Sequence, residues 1–215
     1  MKRFAIILAG CGVYDGAEIH EAVMALYAVM KNGASYQVFA PDVPQHHVVN
    51  HINGSEMTES RNVLIESARI ARGNIKSLST FKAEDFDALL LPGGFGVAKN
   101  LCNFAFKGAD CKVNFEVEKA IREMVAAAKP VGGMCISPVI LARVLGKVDL
   151  TIGKDAGTAA AIEKMGAKHH ITTHGEVVID KKHKIFTTPC YMLDANIVQI
   201  AEGANAIVVA MLKEL

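Results

Sequence analysis

Short apolar runs that stop abruptly at glycine or proline, separated by stretches with helical spacing, constrain this chain more than any other feature. Phe4 to Ala9 is continuously apolar and breaks at Gly10, Gly12 and Gly16. Tyr36 to Ala40 stops at Pro41, and Ala88 to Leu91 stops at Pro92-Gly93-Gly94. Val131 to Met134 runs directly into Cys135. An unbroken apolar run of this length fits a parallel strand covered on both faces. Between the runs, Glu18 to Lys31 carries Ala22, Leu26, Val29 and Met30 at helical spacing, closed by Asn32-Gly33. Ser60 to Ala71, Val113 to Ala128, Pro138 to Leu145 and Asn196 to Leu212 also read as helices. Strands alternating with helices of this size predict an α/β fold, a mostly parallel sheet with helices on both faces.

Other segments are less regular. Residues 41 to 59 are polar and read as an excursion. Leu150 to Ile152 reads as a short strand, with a helix following through Met165. Glu176 to Asp180 and Lys184 to Thr187 form a predicted hairpin around Lys181-Lys182-His183. No interdomain linker or repeat interrupts the chain, so residues 1 to 215 are expected to form a single domain.

The chemistry concentrates at Gly132-Gly133-Met134-Cys135-Ile136-Ser137. A cysteine between an apolar strand and a helix sits on a sharp turn at the carboxyl end of the strand, where ligands of open α/β sheets bind. The helix N-terminus favours a thiolate, so Cys135 is expected to be exposed and reactive near neutral pH. A second strand end, Leu91-Pro92-Gly93-Gly94-Phe95-Gly96, offers glycine N–H groups. Those of Gly94 and Ile136 are candidates to hold an oxyanion. A third element, Asp15-Gly16-Ala17-Glu18-Ile19-His20-Glu21, lies on the same rim. A carboxyl buried beside the thiol would have a raised pKa and could move a proton. Glu18 and Glu21 are three apart and share one helix face, so spacing leaves open which of them meets Cys135.

Competing motifs are weaker. Gly10-Cys11-Gly12 approximates a dinucleotide loop, but Gly16 comes one residue late. His46, His47 and His51, like His169, His170 and His174, lack a regular metal-ligand frame. No cofactor and no metal are therefore expected. With 23 basic against 22 acidic residues and no basic run longer than a pair, nothing suggests nucleic acid or an anionic membrane as partner. The N-terminal MKRFAIILAG has a short apolar run leading into a turn and reads as the first strand, not a removed segment. Five cysteines without a CxxC pair suggest reduced thiols, from which a cytoplasmic location is expected.

Taken together, GCGVYDGAEIHEA, MTESRNVLIESARIARG, LPGGFGVAKNL, the GGMC elbow and TTPCYML resemble the ThiJ/PfpI superfamily. The likeness is to its ElbB-type branch, the isoprenoid-biosynthesis proteins with an amidotransferase-like domain, and it covers nearly the whole chain. The resemblance implies a flavodoxin-like three-layer sandwich with a nucleophile elbow, in a homodimer. It implies Cys135 as nucleophile, Glu21 as the glutamate that contacts it, and Gly94 with Ile136 as the oxyanion site. Asp15, Glu18, Gly93, Phe95, Asn100 and Cys190 become the candidate substrate-binding residues. The peptidase branch carries histidine directly after the cysteine, where this chain has Ile136, and no late His-Pro-Glu of the glutaminases is present. What survives is a two-residue Cys/Glu mechanism, the one a cofactor-independent glyoxalase acting on small dicarbonyls requires. The alternatives are a redox-sensing or regulatory dimer without turnover and an amidotransferase-like subunit completed by a partner.

Overall fold

The computed structural model describes all residues from Met1 to Leu215. In chain order it contains β1 (Arg3–Ile7), α1 (Ile19–Lys31), β2 (Ser35–Ala40), α2 (Val63–Ile70), β3 (Ile75–Ser77) and β4 (Ala88–Leu91). A π-helical turn, Val97–Leu101, precedes α3 (Phe104–Lys107) and α4 (Phe115–Ala126). Then come β5 (Val131–Met134), α5 (Pro138–Leu145), β6 (Asp149–Leu150), α6 (Ala156–Lys164), β7 (Lys168–His169), β8 (Val178–Asp180), β9 (Ile185–Thr188) and α7 (Ile197–Leu212).

Seven strands form one sheet in the order β3-β2-β1-β4-β5-β9-β8. All neighbours are parallel except β8 and β9, the expected hairpin. Side chains alternate along each strand, which explains the unbroken apolar runs. Phe4, Ile6 and Leu8 pack with α1 and α7 residues such as Ala25, Val29 and Ile207. Ala5, Ile7 and Ala9 pack on the opposite face with Ile121 and Met124 of α4 and Leu141 of α5. The flavodoxin-like three-layer arrangement is thus present.

The chain leaves β1 for β2 on one side and returns to β4 on the other, so strand order reverses between β1 and β4. Such a reversal opens a crevice outside the carboxyl ends of the strands. The Gly10–Ala17 loop, the Pro92–Gly96 loop and Cys135 all leave the sheet at that rim.

Three departures from the sequence reading have local causes. The helix expected from Ser60 starts only at Val63, because residues 61 to 63 pair with 43 to 45: Gln45 N–H donates to Arg61 O and Val63 N–H to Val43 O. Asn62 then caps α2 by accepting from Ile65 N–H. The same pairing, with a bridge between Val49 and Glu56, orders the 41 to 59 excursion. The strand expected at Leu150 to Ile152 is β6, which pairs with β7 in a separate two-stranded sheet. β3, a three-residue edge strand, had no counterpart in the reading. No helix is long and apolar enough to cross a membrane.

Candidate active site

The nucleophile elbow is built by close packing. Gly132 lies under Leu90 and Met211: a Cβ there would sit 2.7 Å from Leu90 Cδ1 and 2.7 Å from Met211 Sδ. At Gly133 a Cβ would come 3.0 Å from Leu141 Cδ1 and 3.3 Å from Pro138 N. Only glycines let α5 turn this tightly off β5. Cys135 then takes φ +59°, a left-handed conformation that costs a residue with a Cβ about 1–3 kcal/mol. The surroundings hold it there. Cys135 N–H donates to Thr188 O at 3.0 Å, and Ser137 N–H donates to Met134 O at 3.0 Å. The buried Ser137 hydroxyl donates to Pro92 O at 2.6 Å, tying the elbow to the neighbouring glycine loop.

Glu21, not Glu18, meets the thiol. Glu21 is fully buried and hydrogen-bonds Cys135. Its Oε2 accepts from Gly93 N–H at 3.0 Å and its Oε1 from Tyr191 N–H at 3.0 Å. Burial raises its pKa to about 7, opposed in part by the hydrogen bonds from Tyr191, Cys135 and Gly93. Gly93 has no room for a side chain: a Cβ would lie 2.4 Å from Cys135 Cβ, 2.5 Å from Glu21 Oε2 and 2.8 Å from Cys135 Sγ. Glu18 occupies the helix cap instead. Its Oε2 accepts from Glu21 N–H at 2.7 Å, and its own N–H donates to Gly93 O at 2.9 Å. Its side chain contributes to the pocket wall.

The expected exposed, acidic thiol is corrected. Cys135 is only 7% exposed. Its pKa is raised well above the ordinary thiol value, chiefly by burial, then by the nearby charges of Glu21 and Cys190 and by its hydrogen bond to Glu21. A hydrogen bond from Gly94 N–H acts in the opposite direction. Burial outweighs the dipole of the short helix that follows. The resting state is therefore a neutral thiol whose proton faces a buried carboxylate.

Cys135 opens onto a cavity of about 390 Å³, lined mainly by apolar groups. Gly94, Phe95 and Ile136 form the wall nearest the thiol, together with Tyr191 and Met192. Phe104 and Ala105 of α3 and Asp155 and Thr158 at the start of α6 also line it. The Ile136 N–H has no protein acceptor, so with Gly94 it leaves a donor beside the sulfur.

Four candidate substrate-binding residues do not line the cavity: Gly93, whose N–H is taken by Glu21 Oε2, and Asp15, Asn100 and Cys190. Asp15 is buried against the 41 to 59 excursion, where its Oδ2 accepts from Val49 N–H at 2.7 Å. Asn100 clamps loops: its amide donates to Ala9 O and Asp15 O, both at 2.9 Å, and its carbonyl accepts from His46 N–H. Cys190 sits behind Cys135, buried against α7, where its sulfur lies 3.5 Å from the position a Cβ on Gly203 would take. Asp15 Oδ2 and the Asn100 amide are thus engaged within the protein, and Asp15 Oδ1 is buried without a hydrogen-bond partner. In the Gly10–Ala17 loop, Gly10 N–H donates to Ser67 Oγ, Gly12 N–H to Ala17 O and Gly16 N–H to Gly12 O, so these glycine amides are used internally.

Tyr191 was missed as a site residue, although Cys190 beside it was singled out. Its backbone N–H fixes Glu21, and its hydroxyl shares a 2.9 Å hydrogen bond with His20 Nδ1. The available signal was positional: TTPCYML contains the carboxyl end of β9, which reaches the same rim, and the turn after it. Phe104, Asp155 and Thr158 carried no comparable signal.

No family model matches the chain. It is 49% identical over 216 residues to the human "Glutamine amidotransferase-like class 1 domain-containing protein 3, mitochondrial", an alignment covering 96% of this chain and 81% of that protein. It is 47% identical over 221 residues to the rat "ES1 protein homolog, mitochondrial", covering 98% and 83% respectively. Among solved structures, the isoprenoid biosynthesis protein with amidotransferase-like domain from Ehrlichia chaffeensis superposes with a TM-score of 0.92 at 36% identity. That match spans 99% of this chain and 100% of the other. The mitochondrial names of the mammalian relatives overturn the cytoplasmic expectation. Unpaired cysteines report a reducing compartment without saying which one.

Proposed function

The chain belongs to the family of ES1 and glutamine amidotransferase-like class 1 domain proteins, and from that premise we propose that it is a cofactor-independent glyoxalase-like enzyme acting on small dicarbonyls. The observation that carries the proposal is the Cys135–Glu21 pair: a neutral thiol at the wall of a small apolar cavity, bonded to a buried carboxylate whose pKa lies at about 7. A group with its pKa near the working pH both takes and returns a proton efficiently. No histidine is bonded to the thiol or to Glu21, which disfavours a glutaminase or peptidase relay.

The proposed reaction begins with glyoxal in the cavity. Cys135 Sγ attacks one aldehyde carbon while Glu21 takes the thiol proton. The developing oxyanion is met by the N–H groups of Gly94 and Ile136. Glu21 returns its proton to that oxygen and a hemithioacetal results. The carboxylate then removes the hydrogen from the same carbon, forming an enediol(ate), and delivers it to the neighbouring carbon. The product is a 2-hydroxy thioester on Cys135. Water cleaves it to the 2-hydroxy acid and regenerates the thiol, so one glyoxal and one water give one glycolate. The Gly93 and Tyr191 N–H groups each hold one oxygen of Glu21, which fixes the carboxylate behind Cys135.

The test is turnover of glyoxal and methylglyoxal by purified protein, followed as 2-hydroxy acid formed. Wild type converts the dicarbonyl and Cys135→Ala does not. Full activity in Cys135→Ala, or none in correctly folded wild type, overturns the proposal.

A further inference from the structure

A pair of thiols, Cys102 and Cys111, stands apart from the elbow, at the two ends of a loop that reaches the cavity. Cys102 pairs with Val113 in an antiparallel bridge. The bridge is framed by Asn103 N–H to Lys112 O at 3.1 Å and Asn114 N–H to Leu101 O at 2.8 Å. In such a ladder, residues two apart on one strand face the same side. Cys111, two before Val113, is therefore the diagonal neighbour of Cys102, and the two thiols are hydrogen-bonded. Both side chains are buried. Between them runs a short loop made of α3 and the Gly108–Asp110 turn, in which no residue is fully buried. Phe104 and Ala105 of this loop line the cavity that holds Cys135.

We propose that Cys102 and Cys111 form a redox site, a dithiol that closes to an intramolecular disulfide and staples the Phe104–Ala105 wall of the cavity. The oxidant is a peroxide. Cys111 Sγ attacks one peroxide oxygen, the O–O bond breaks, and Cys111 becomes a sulfenic acid as hydroxide leaves. Cys102 Sγ then attacks Cys111 Sγ, the S–O bond breaks, and the oxygen departs as water with the Cys102 proton. Two thiols lose two electrons and hydrogen peroxide becomes two waters.

The roles follow from the surroundings. The hydrogen bond from Cys102 and the positive charge of Arg143 lower the Cys111 pKa to about 7, whereas Cys102, hydrogen-bonded to Cys111 and buried, is held well up. Cys102 has a second acceptor in Val97 O at 3.3 Å, so its proton is shared between two neighbours. Diagonal positions in an antiparallel ladder lie about 7–8 Å apart between Cα atoms. A disulfide needs less than about 7 Å, so the ribbon closes by roughly an ångström. The lightly buried loop between the cysteines is the part able to move, and its opening gives the oxidant access. The pairing does not depend on the dicarbonyl reaction, and its test uses no turnover.

The full-length protein is treated with hydrogen peroxide, free thiols are blocked with iodoacetamide, and trypsin is added. Cleavage after Lys99, Lys107 and Lys112 puts Cys102 and Cys111 on separate peptides, Asn100 to Lys107 and Gly108 to Lys112. The expected result is loss of both alkylated peptides and appearance of one linked species lighter by two hydrogens, reversed by dithiothreitol. In Cys102→Ser the link is lost, and Cys111 is trapped by dimedone as a sulfenic acid. Wild-type amides 103 to 110 exchange more slowly with deuterium after oxidation. Recovery of both peptides singly alkylated, overoxidation without linkage, or linkage of either cysteine to a different one overturns the proposal.

Discussion

Glu18 and Glu21 stand three residues apart at the start of the same helix, and the fold makes them into different groups. Glu18 accepts one hydrogen bond from Glu21 N–H and faces the cavity wall as a helix cap. Glu21 is sealed at 0% exposure, both oxygens are held by backbone donors, and it touches the thiol. The difference arises outside the helix. The Gly93 loop after β4 and the Cys190–Met192 turn after β9 close over Glu21 and leave Glu18 at the rim. Identical side chains at helical spacing thus become a proton carrier and a structural cap because different strand ends pack against them.

Several substitutions separate the two roles. The largest effect is expected for Glu21→Gln, which keeps shape but removes the base. Turnover of dicarbonyl falls about 10²–10⁴-fold, the usual worth of a positioned general base. In wild type the same group makes the rate rise with pH through about 7. A wild-type level of activity in the glutamine variant would erase the distinction.

The second effect is on stability. The folded-state pKa of Glu21 is raised from 4.5 to about 7, so the folded protein binds that proton more tightly than the unfolded chain. Its contribution is most favourable at low pH and is lost as pH rises from about 4.5 to about 7, by on the order of 3 kcal/mol. Denaturant melts at both ends of this window should show that loss in wild type and not in Glu21→Gln. Equal slopes in the two proteins would count against the burial account.

Gly93→Ala should come next. Its methyl group would collide with Cys135 and Glu21 together, and overpacking of this kind costs about 1–3 kcal/mol. Melting with the alanine variant checks it, and alkylation of Cys135 should change in parallel. The smallest effect is expected for Glu18→Ala, which loses one cap hydrogen bond worth about 1 kcal/mol and keeps the proton chemistry. A loss of turnover as large as that of Glu21→Gln would reverse the assignment of the two glutamates.

The contrast also shows what the sequence made legible. Strands were visible because a parallel strand buried on both faces writes itself as an apolar run, as Phe4 to Ala9 and Ala88 to Leu91 do. The elbow was visible because Gly132 and Gly133 precede a cysteine and a proline-led helix. β3 and β7 are too short for a period to register. The choice between Glu18 and Glu21 was not local, since both point from one helix face and only tertiary packing divides them. The thiol pKa was misjudged for the same reason. The helix start is written in the chain, whereas the burial that outweighs it comes from residues far apart in sequence, among them Glu21, Gly93 and Cys190. Asn100 and Asp15 sit in the quoted motifs yet serve loop geometry, because the Asn100 amide and Asp15 Oδ2 bond to backbone away from the cavity.

The central claim is that Cys135 rests as a protonated thiol coupled to Glu21. The most direct test is the pH dependence of iodoacetamide alkylation at Cys135, followed by mass spectrometry of its peptide, in wild type and in Glu21→Gln. The account predicts slow alkylation near neutral pH in wild type, a midpoint above that of an ordinary thiol, and a downward shift when the Glu21 charge is removed. A wild-type thiol already ionised at neutral pH, or a midpoint indifferent to Glu21→Gln, would contradict it.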